Sequence, residues 1–425
     1  MKQTGLISTM GFIPQALISG ASYQNTFFNN KRNIFLSTDF ISGGGEDLTV
    51  ISNDPVTVRF KPHNEADGGW SQVWWYFMVD GLTPGEKITL QLDRDEPGSS
   101  GISPQIFFSY DQQLWGLTNT GRPAEIEGRD FFIYEHIVRS KKVWFAYDLP
   151  YTPDHIDELL LPAVKKDPDA DVVELCKTKN NHSVKMFVFN DKNSLTEIKY
   201  GIWLQARSHA FESGASWVLH EMALWLMSGD PEAEALRRRA SITVIPIVDV
   251  DGVIEGRTGK NQNPYDHNRG WDQEPAYWQQ INSSKALLSS MADQNMPDMY
   301  IDFHGPGNSS HPYFIVPFEE LLPTEKQRLN RSKFFETLKC KELDDQARLS
   351  QSMTQFYYSP RPWDKSASLI NSRGWVTMNT TDHNIALTIE VNMNTPLSTR
   401  SGYRAEAIEL GRAISGYFTN DYHQR

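Results

Sequence analysis

The apolar positions of this chain follow two rhythms, and the change falls near residue 152. Between residues 33 and 150 they come in short aromatic or alternating runs: "VWWYFMV", "KITLQLD", "PQIFFSY" and "KVWFAYD". Turn-forming stretches separate them, "ADGG", "LTPGEK" and "DEPGSSG". Short strands at this spacing predict an antiparallel β-sandwich. "DLPYTPDHIDELLLPAVKK" then breaks the rhythm, with a junction at Tyr151 to Pro153 and a helix in "HIDELLLPAV". Beyond it strands alternate with helices. "VKMFVFN" and "KYGIWLQA" read as strands joined by a turn at Asp191 to Asn193. "SWVLHEMALWLM" reads as an amphipathic helix carrying Trp217, Leu224 and Trp225, stopped by Gly229 and Pro231. "SITVIPIVDV", "DMYIDFH" and "IALTIEVN" read as further strands, and "YRAEAIELGRAISGYF" as a final helix. The expectation is an α/β fold with a mixed, mainly parallel sheet flanked by helices. A sandwich domain over 1–152 precedes a second domain over 153–425.

Polar residues cluster where these strands end. "KYGIWLQA" runs into His209 and Glu212, "SITVIPIVDV" into Asp251 and then "DHNRGW", and "DMYIDFH" ends at His304. "IALTIEVN" carries Glu390 near its end. In open α/β sheets the ligand crevice lies outside the carboxyl ends of the strands. Catalytic zinc takes three protein ligands of the His2Glu kind and keeps one position open. His209, Glu212 and His304 can supply that set, and Gly305 to Gly307 allow a sharp turn beside it. Glu390 interrupts an apolar strand, so its carboxylate needs a partner or a task. Beside a metal-activated water the task is that of a general base.

Composition narrows the picture. The chain has 425 residues, ample for two domains, and a formal charge of -12. That acidity argues against nucleic acid as a partner. The two cysteines, Cys176 and Cys340, are too few for a disulfide framework or a thiolate zinc site. No run is apolar enough to span a bilayer. The first twenty residues form a poor export signal, interrupted by Pro14 and Gln15, so the expected location is cytoplasmic.

Together "HAFE", "DGVIEG", "DHNRGW", "DFHG" and "TIEVN", in that order, resemble the zinc carboxypeptidases of the M14 metallopeptidase family. The likeness is strongest to the cytosolic carboxypeptidase branch, whose members carry a β-sandwich before the catalytic domain. "QVWWYFMV", "YDQQLWGLT" and "VWFAYDLPYT" share it loosely. The resemblance implies one Zn2+ per chain on His209, Glu212 and His304, with Glu390 as the base acting on the zinc-bound water. It implies that Asn268 and Arg269 grip the substrate's terminal carboxylate, and that Asp266 orients the first histidine. It implies hydrolysis of a C-terminal peptide bond, or of a side-chain-linked glutamyl bond, in a peptide or protein.

Two departures stand out. Asp249, Val250, Asp251 and Gly252 replace the family's Asn-Pro-Asp-Gly, and the family's oxyanion-stabilising arginine falls on Gly259. Arg257 and Lys260 flank that position, and Lys260 is the nearer. His267 stands where the family often has an aliphatic residue. An acidic side-chain specificity would call for basic pocket residues, for which Arg373, Arg400 and Arg404 are candidates. Two other readings share the same residues: a zinc amidohydrolase acting on small N-acyl amino acids, and a non-catalytic binding protein that keeps the fold.

Overall fold

The computed structural model describes residues 33–63, 72–94, 101–193, 200–305, 312–316, 322–339 and 370–425. The first twenty residues, Pro306, Gly307 and Cys340 lie outside this set, as do "ADGG" and most of "DEPGSSG". The described residues form one compact unit.

The first ten strands are Phe35–Ser37 (β1), Glu46–Asn53 (β2), Val56–Lys61 (β3), Tyr76–Asp80 (β4) and Lys87–Asp93 (β5), then Phe107–Ser109 (β6), Trp115–Leu117 (β7), Arg122–Ile126 (β8), Arg129–Ile137 (β9) and Lys142–Ala146 (β10). They build two five-stranded sheets, β1-β4-β10-β6-β7 and β2-β3-β5-β9-β8. Alternation along β3 buries Val56, Val58 and Phe60 and leaves Arg59 and Lys61 half-exposed, as the two-residue period of a strand requires. The buried faces meet through aromatic rings: Phe60 of one sheet lies 4.8 Å from Phe77 of the other, centroid to centroid. The sandwich expected from the aromatic runs is therefore present. One pair within it, β3 with β5, runs parallel.

Seven more strands follow: Ala170–Lys177 (β11), Ser183–Phe189 (β12), Tyr200–Ala206 (β13), Ala240–Ile245 (β14), Met299–His304 (β15), Tyr313–Ile315 (β16) and Ile385–Glu390 (β17). They form one mixed sheet in the order β11-β12-β14-β13-β15-β17-β16. The pairs β14–β13, β13–β15 and β15–β17 are parallel, and the flanking pairs are antiparallel. β13 and β15 are buried at every residue. That burial explains why they read as near-continuous apolar runs. β12 and β13, consecutive in the chain, are separated in the sheet by β14. The stretch between them therefore connects non-neighbouring strands and is not a hairpin.

The helix Ser213–Leu226 follows β13 and buries all but one of its residues, Leu224 being the exception. It is enclosed on several sides and is not amphipathic in the one-sided sense expected. The helix Arg400–Thr419 covers one side, and Gly411 sits so near Trp225 that a Cβ would lie 2.5 Å from the indole ring. The sandwich end of the chain covers another side: Trp217 donates to Pro150 O at 3.2 Å, and Tyr151 Oη meets His220 Nδ1 at 3.0 Å. Thr258 Oγ1 accepts from Val73 N and Trp74 N, tying the loop before the site to the sandwich. Among the described residues, no helix is long and apolar enough to cross a membrane.

Candidate metal centre

The carboxyl ends of β13, β15 and β17 carry the groups that meet. β13 ends at Ala206, and Arg207 then takes a left-handed conformation, φ 64°. This bend starts the turn that holds His209 and Glu212. Arg207 is fully buried, and its Nε donates to Ala210 O at 2.8 Å, bracing the turn from inside. His304 closes β15 and Glu390 closes β17, and the two are register partners. Glu390 is in turn opposite Tyr313 on β16.

His209, Glu212 and His304 are all buried, and one ligand atom from each lies within 4.8 Å of the others. His209 Nδ1 is 2.9 Å from Glu212 Oε1, His304 Nδ1 is 2.8 Å from Glu212 Oε2, and the two Nδ1 atoms are 3.2 Å apart. Two imidazole nitrogens and a carboxylate converge here, and a divalent cation is the group that such a donor set fits. The electrostatics agree. Burial pushes the Glu212 carboxyl up, but His209, His304 and Lys260 outweigh it and hold it well below the usual carboxylate range. Burial pushes His304 down, yet Asp302 and Glu212 hold it well above an ordinary imidazole. The pocket is thus arranged around positive charge.

Both histidines point Nδ1 inward and Nε2 at a carboxylate behind. His209 Nε2 is 3.5 Å from Asp266 Oδ1, and His304 Nε2 is 3.0 Å from Asp302 Oδ2. Carboxylate–imidazole pairs of this kind fix ring orientation and tautomer at metal sites. Burial raises Asp266, while His209, Arg269 and Lys260 more than offset it and keep it ionised. Asp266 Oδ1 also accepts from Asn268 N at 2.8 Å. Asp302 was not singled out from the sequence. It lies inside the buried run "MYIDFH", where the only signal is an acid that strand burial alone does not explain.

Glu390 sits at the rim, partly buried. Its carboxyl is pushed up to about 7, first by burial and then by Glu212, against the opposing pull of His304, Lys260 and His209. Asn268 is buried; its Nδ2 is 3.2 Å from His304 Nε2, and its Oδ1 accepts from Ser372 N at 3.2 Å. Arg269 is half-buried and donates through Nη1 to Asn268 O at 2.9 Å.

The two cations proposed for the oxyanion separate clearly. Lys260 Nζ is 3.6 Å from Glu212 Oε1 and 5.8 Å from the Phe211 ring centroid. Arg257 is exposed, pairs with Glu255 at 2.6 Å and is not brought to the cluster. Asp251 also faces elsewhere: it accepts from Thr178 Oγ1 at 2.6 Å and meets His182 Nδ1 at 2.7 Å, clamping the β11–β12 hairpin. His267 stacks on Trp278, 4.3 Å between centroids, and its Nδ1 meets Gln262 Oε1 at 2.8 Å. Of the three arginines considered for a pocket, Arg400 pairs with Glu221 at 2.8 Å and Arg404 is exposed. Arg373 is buried near the cluster and donates to Ile315 O at 2.9 Å. Burial pushes it down to about 10 although Asp302 and Glu390 favour its charge.

A second group, Asp298 with His383 and His423, also brings three ligand atoms within 4.8 Å. There Arg425 donates to both Asp298 oxygens at 2.8 Å. The carboxylate's charge is already matched by a guanidinium, and a further cation would be repelled. This cluster reads as an ion network, which leaves the first as the candidate metal centre.

Fold and site together resemble those of the zinc carboxypeptidases. Residues 157–313 match the zinc carboxypeptidase family model, a hydrolytic family. The chain is 26% identical over 278 residues to human cytosolic carboxypeptidase 1, covering 55% of this chain and 22% of that one. It is 30% identical over 279 residues to human cytosolic carboxypeptidase 4, covering 55% and 25%. The chain thus spans about a quarter of the length of these relatives. The fold is that of a metallo-carboxypeptidase from Burkholderia cenocepacia, with TM-score 0.72 at 21% identity over 91% of this chain and 99% of that one. A Pseudomonas aeruginosa metallo-carboxypeptidase superposes with TM-score 0.69 at 18% identity, over 90% and 99%. The likeness to M14 carboxypeptidases read from the ordered motifs agrees with each of these findings.

Proposed function

We propose that this chain is a zinc-dependent metallocarboxypeptidase that hydrolyses the peptide bond next to a free carboxylate. The observation that carries the reading is the convergence of His209, Glu212 and His304 at the carboxyl edge of the parallel strands, with Glu390 in register beside His304. These three residues would hold the zinc, which when bound supplies Lewis acidity for the scissile carbonyl and for water.

The chain's own groups do the rest. Asn268 and Arg269 anchor the terminal carboxylate, which fixes the scissile bond before the chemistry begins. Glu390 takes a proton from water at its carboxylate and returns it to the leaving amine nitrogen. Lys260 offsets the negative charge that develops on the carbonyl oxygen. Asp266 keeps the His209 ring aimed through Nδ1. Arg373, buried near Glu390, is the candidate for reading an acidic side chain or a side-chain-linked glutamyl group. The sandwich, taken as residues up to 152, supports the catalytic part from outside. The relatives are named cytosolic carboxypeptidases, which supports a cytosolic location.

A panel of peptides differing at the C-terminal residue, run beside Glu390→Gln, tests the reading. The parent should release a single terminal amino acid, and the variant should lose about 10²–10⁴-fold in rate. Cleavage confined to N-acyl amino acids would favour an amidohydrolase. A fully active variant would remove Glu390 from the mechanism.

A further inference from the structure

His304 Nε2 has two neighbours of opposite hydrogen-bonding character. Asp302 Oδ2 lies at 3.0 Å and Asn268 Nδ2 at 3.2 Å. Both are held in place. Asp302 is fully buried; its Oδ2 accepts from Ser372 Oγ at 2.6 Å, and its Oδ1 faces Gln205 Nε2 at 3.4 Å and Ser208 Oγ at 3.5 Å. The Asn268 amide is oriented by its other end, because Oδ1 accepts from Ser372 N. Ser372 therefore holds both neighbours, one through its hydroxyl and one through its backbone.

An imidazole that ligates a cation through Nδ1 carries its single proton on Nε2. An ionised carboxylate only accepts, and an amide NH2 only donates. The Nε2 proton then goes to Asp302, and Asn268 Nδ2 can no longer donate to that nitrogen. Its hydrogens lose that acceptor in a buried position, where one is needed.

We propose that Asp302 is the positioning residue of His304: it fixes the Nε2–H tautomer that turns Nδ1 to the metal, and this releases the Asn268 amide to a substrate carboxylate. Metal occupancy and carboxylate recognition are thereby coupled through one ring, with Ser372 setting the geometry of both sides. The inference rests on the zinc reading given above and extends it to the order of events, metal before carboxylate.

The test compares zinc affinity, by competition with a chromogenic chelator, in the parent, Asp302→Asn and Ser372→Ala. Loss of such a carboxylate partner typically weakens metal binding about 10–100-fold, and that is the loss expected for Asp302→Asn. Ser372→Ala, which removes one hydrogen bond and leaves the carboxylate, should lose less. It also keeps the test decisive if Asp302→Asn does not fold. The Co2+-substituted parent and variants should differ in their visible absorption, since the ring is re-aimed. At saturating metal, Asp302→Asn should raise KM for a short peptide more than it lowers kcat, because the Asn268 amide is no longer released, whereas Ser372→Ala keeps the backbone N–H that orients Asn268 and should leave KM near the parent's. A parent that binds no zinc overturns the zinc reading itself. A parent that binds it, with affinity and cobalt spectrum unchanged in both variants, overturns only the role given to Asp302.

Discussion

Gly259 packs directly against Ala210, so closely that a Cβ on Gly259 would overlap the Ala210 amide nitrogen. Its φ is +83°. The position where the family places an arginine thus has no room for any side chain, and the cation beside Glu212 comes from the next residue, Lys260. Gly259→Ala should pay both the left-handed strain, about 1–2 kcal/mol, and the overlap. Expected are a lower unfolding temperature and weaker zinc binding, since Ala210 lies between His209 and Glu212. A calorimetric scan and a metal titration check it, and a variant equal to the parent in both would mean the turn is not under this constraint.

Lys260 should be visible in the pH profile. A general base works ionised, so kcat/KM falls as pH drops through the value of Glu390, which stands at about 7. A bound divalent cation favours the ionised form, so the acid limb of the loaded enzyme lies lower than that. Lys260 also favours it. Lys260→Met removes that charge, and the limb should move to higher pH while kcat drops by up to about 10²–10³-fold through the lost oxyanion partner. A limb that stays put, or moves down, contradicts the placement of Lys260.

Arg373 gives a prediction about specificity. If it reads an acidic side chain, Arg373→Gln should lower kcat/KM for peptides ending in glutamate more than for those ending in an apolar residue. A ratio of the two that does not change would assign Arg373 to packing beneath β16, where it donates to Ile315 O.

Asp298 should govern acid stability. Burial pushes its carboxyl up, but Arg425, His383 and His423 outweigh it and hold it well below the usual carboxylate range. Because the folded value is the lower one, the stabilisation is fully present above the unfolded value, about 4. It is lost as pH falls from there toward the folded value. Asp298→Asn leaves its partners unmatched and should cost about 3–5 kcal/mol near neutral pH. The same variant should flatten the acid limb of stability, measured by denaturant titration between pH 3 and 7. A neutral or stabilised variant would show that the network does not hold the fold.

The groups at the strand ends were legible because polar residues after buried runs have few structural reasons to be there. His209, Glu212, His304 and Glu390 all stood in that position, and the sheet brings their strands side by side. Asp302 was hidden by the same logic, since two residues back inside a fully buried strand it reads as an oddity of the core. Its meaning depends on which nitrogen of His304 faces it, and no periodicity encodes that. In sequence Lys260 was favoured over Arg257 only as the nearer to Gly259. The left-handed glycine turns one toward Glu212 and leaves the other on the surface with Glu255. β2, β3 and β8 carry mixed polar faces and give weaker patterns than the aromatic strands, and Ser372 lies on a helix, Ser372–Asn379, that no motif announced.

The most direct measurement is anomalous diffraction at the zinc edge from crystals grown with stoichiometric zinc. One strong peak per chain should stand between His209 Nδ1, His304 Nδ1 and the Glu212 carboxylate, with none between Asp298, His383 and His423. No peak at the first cluster, or the only peak at the second, would contradict the account.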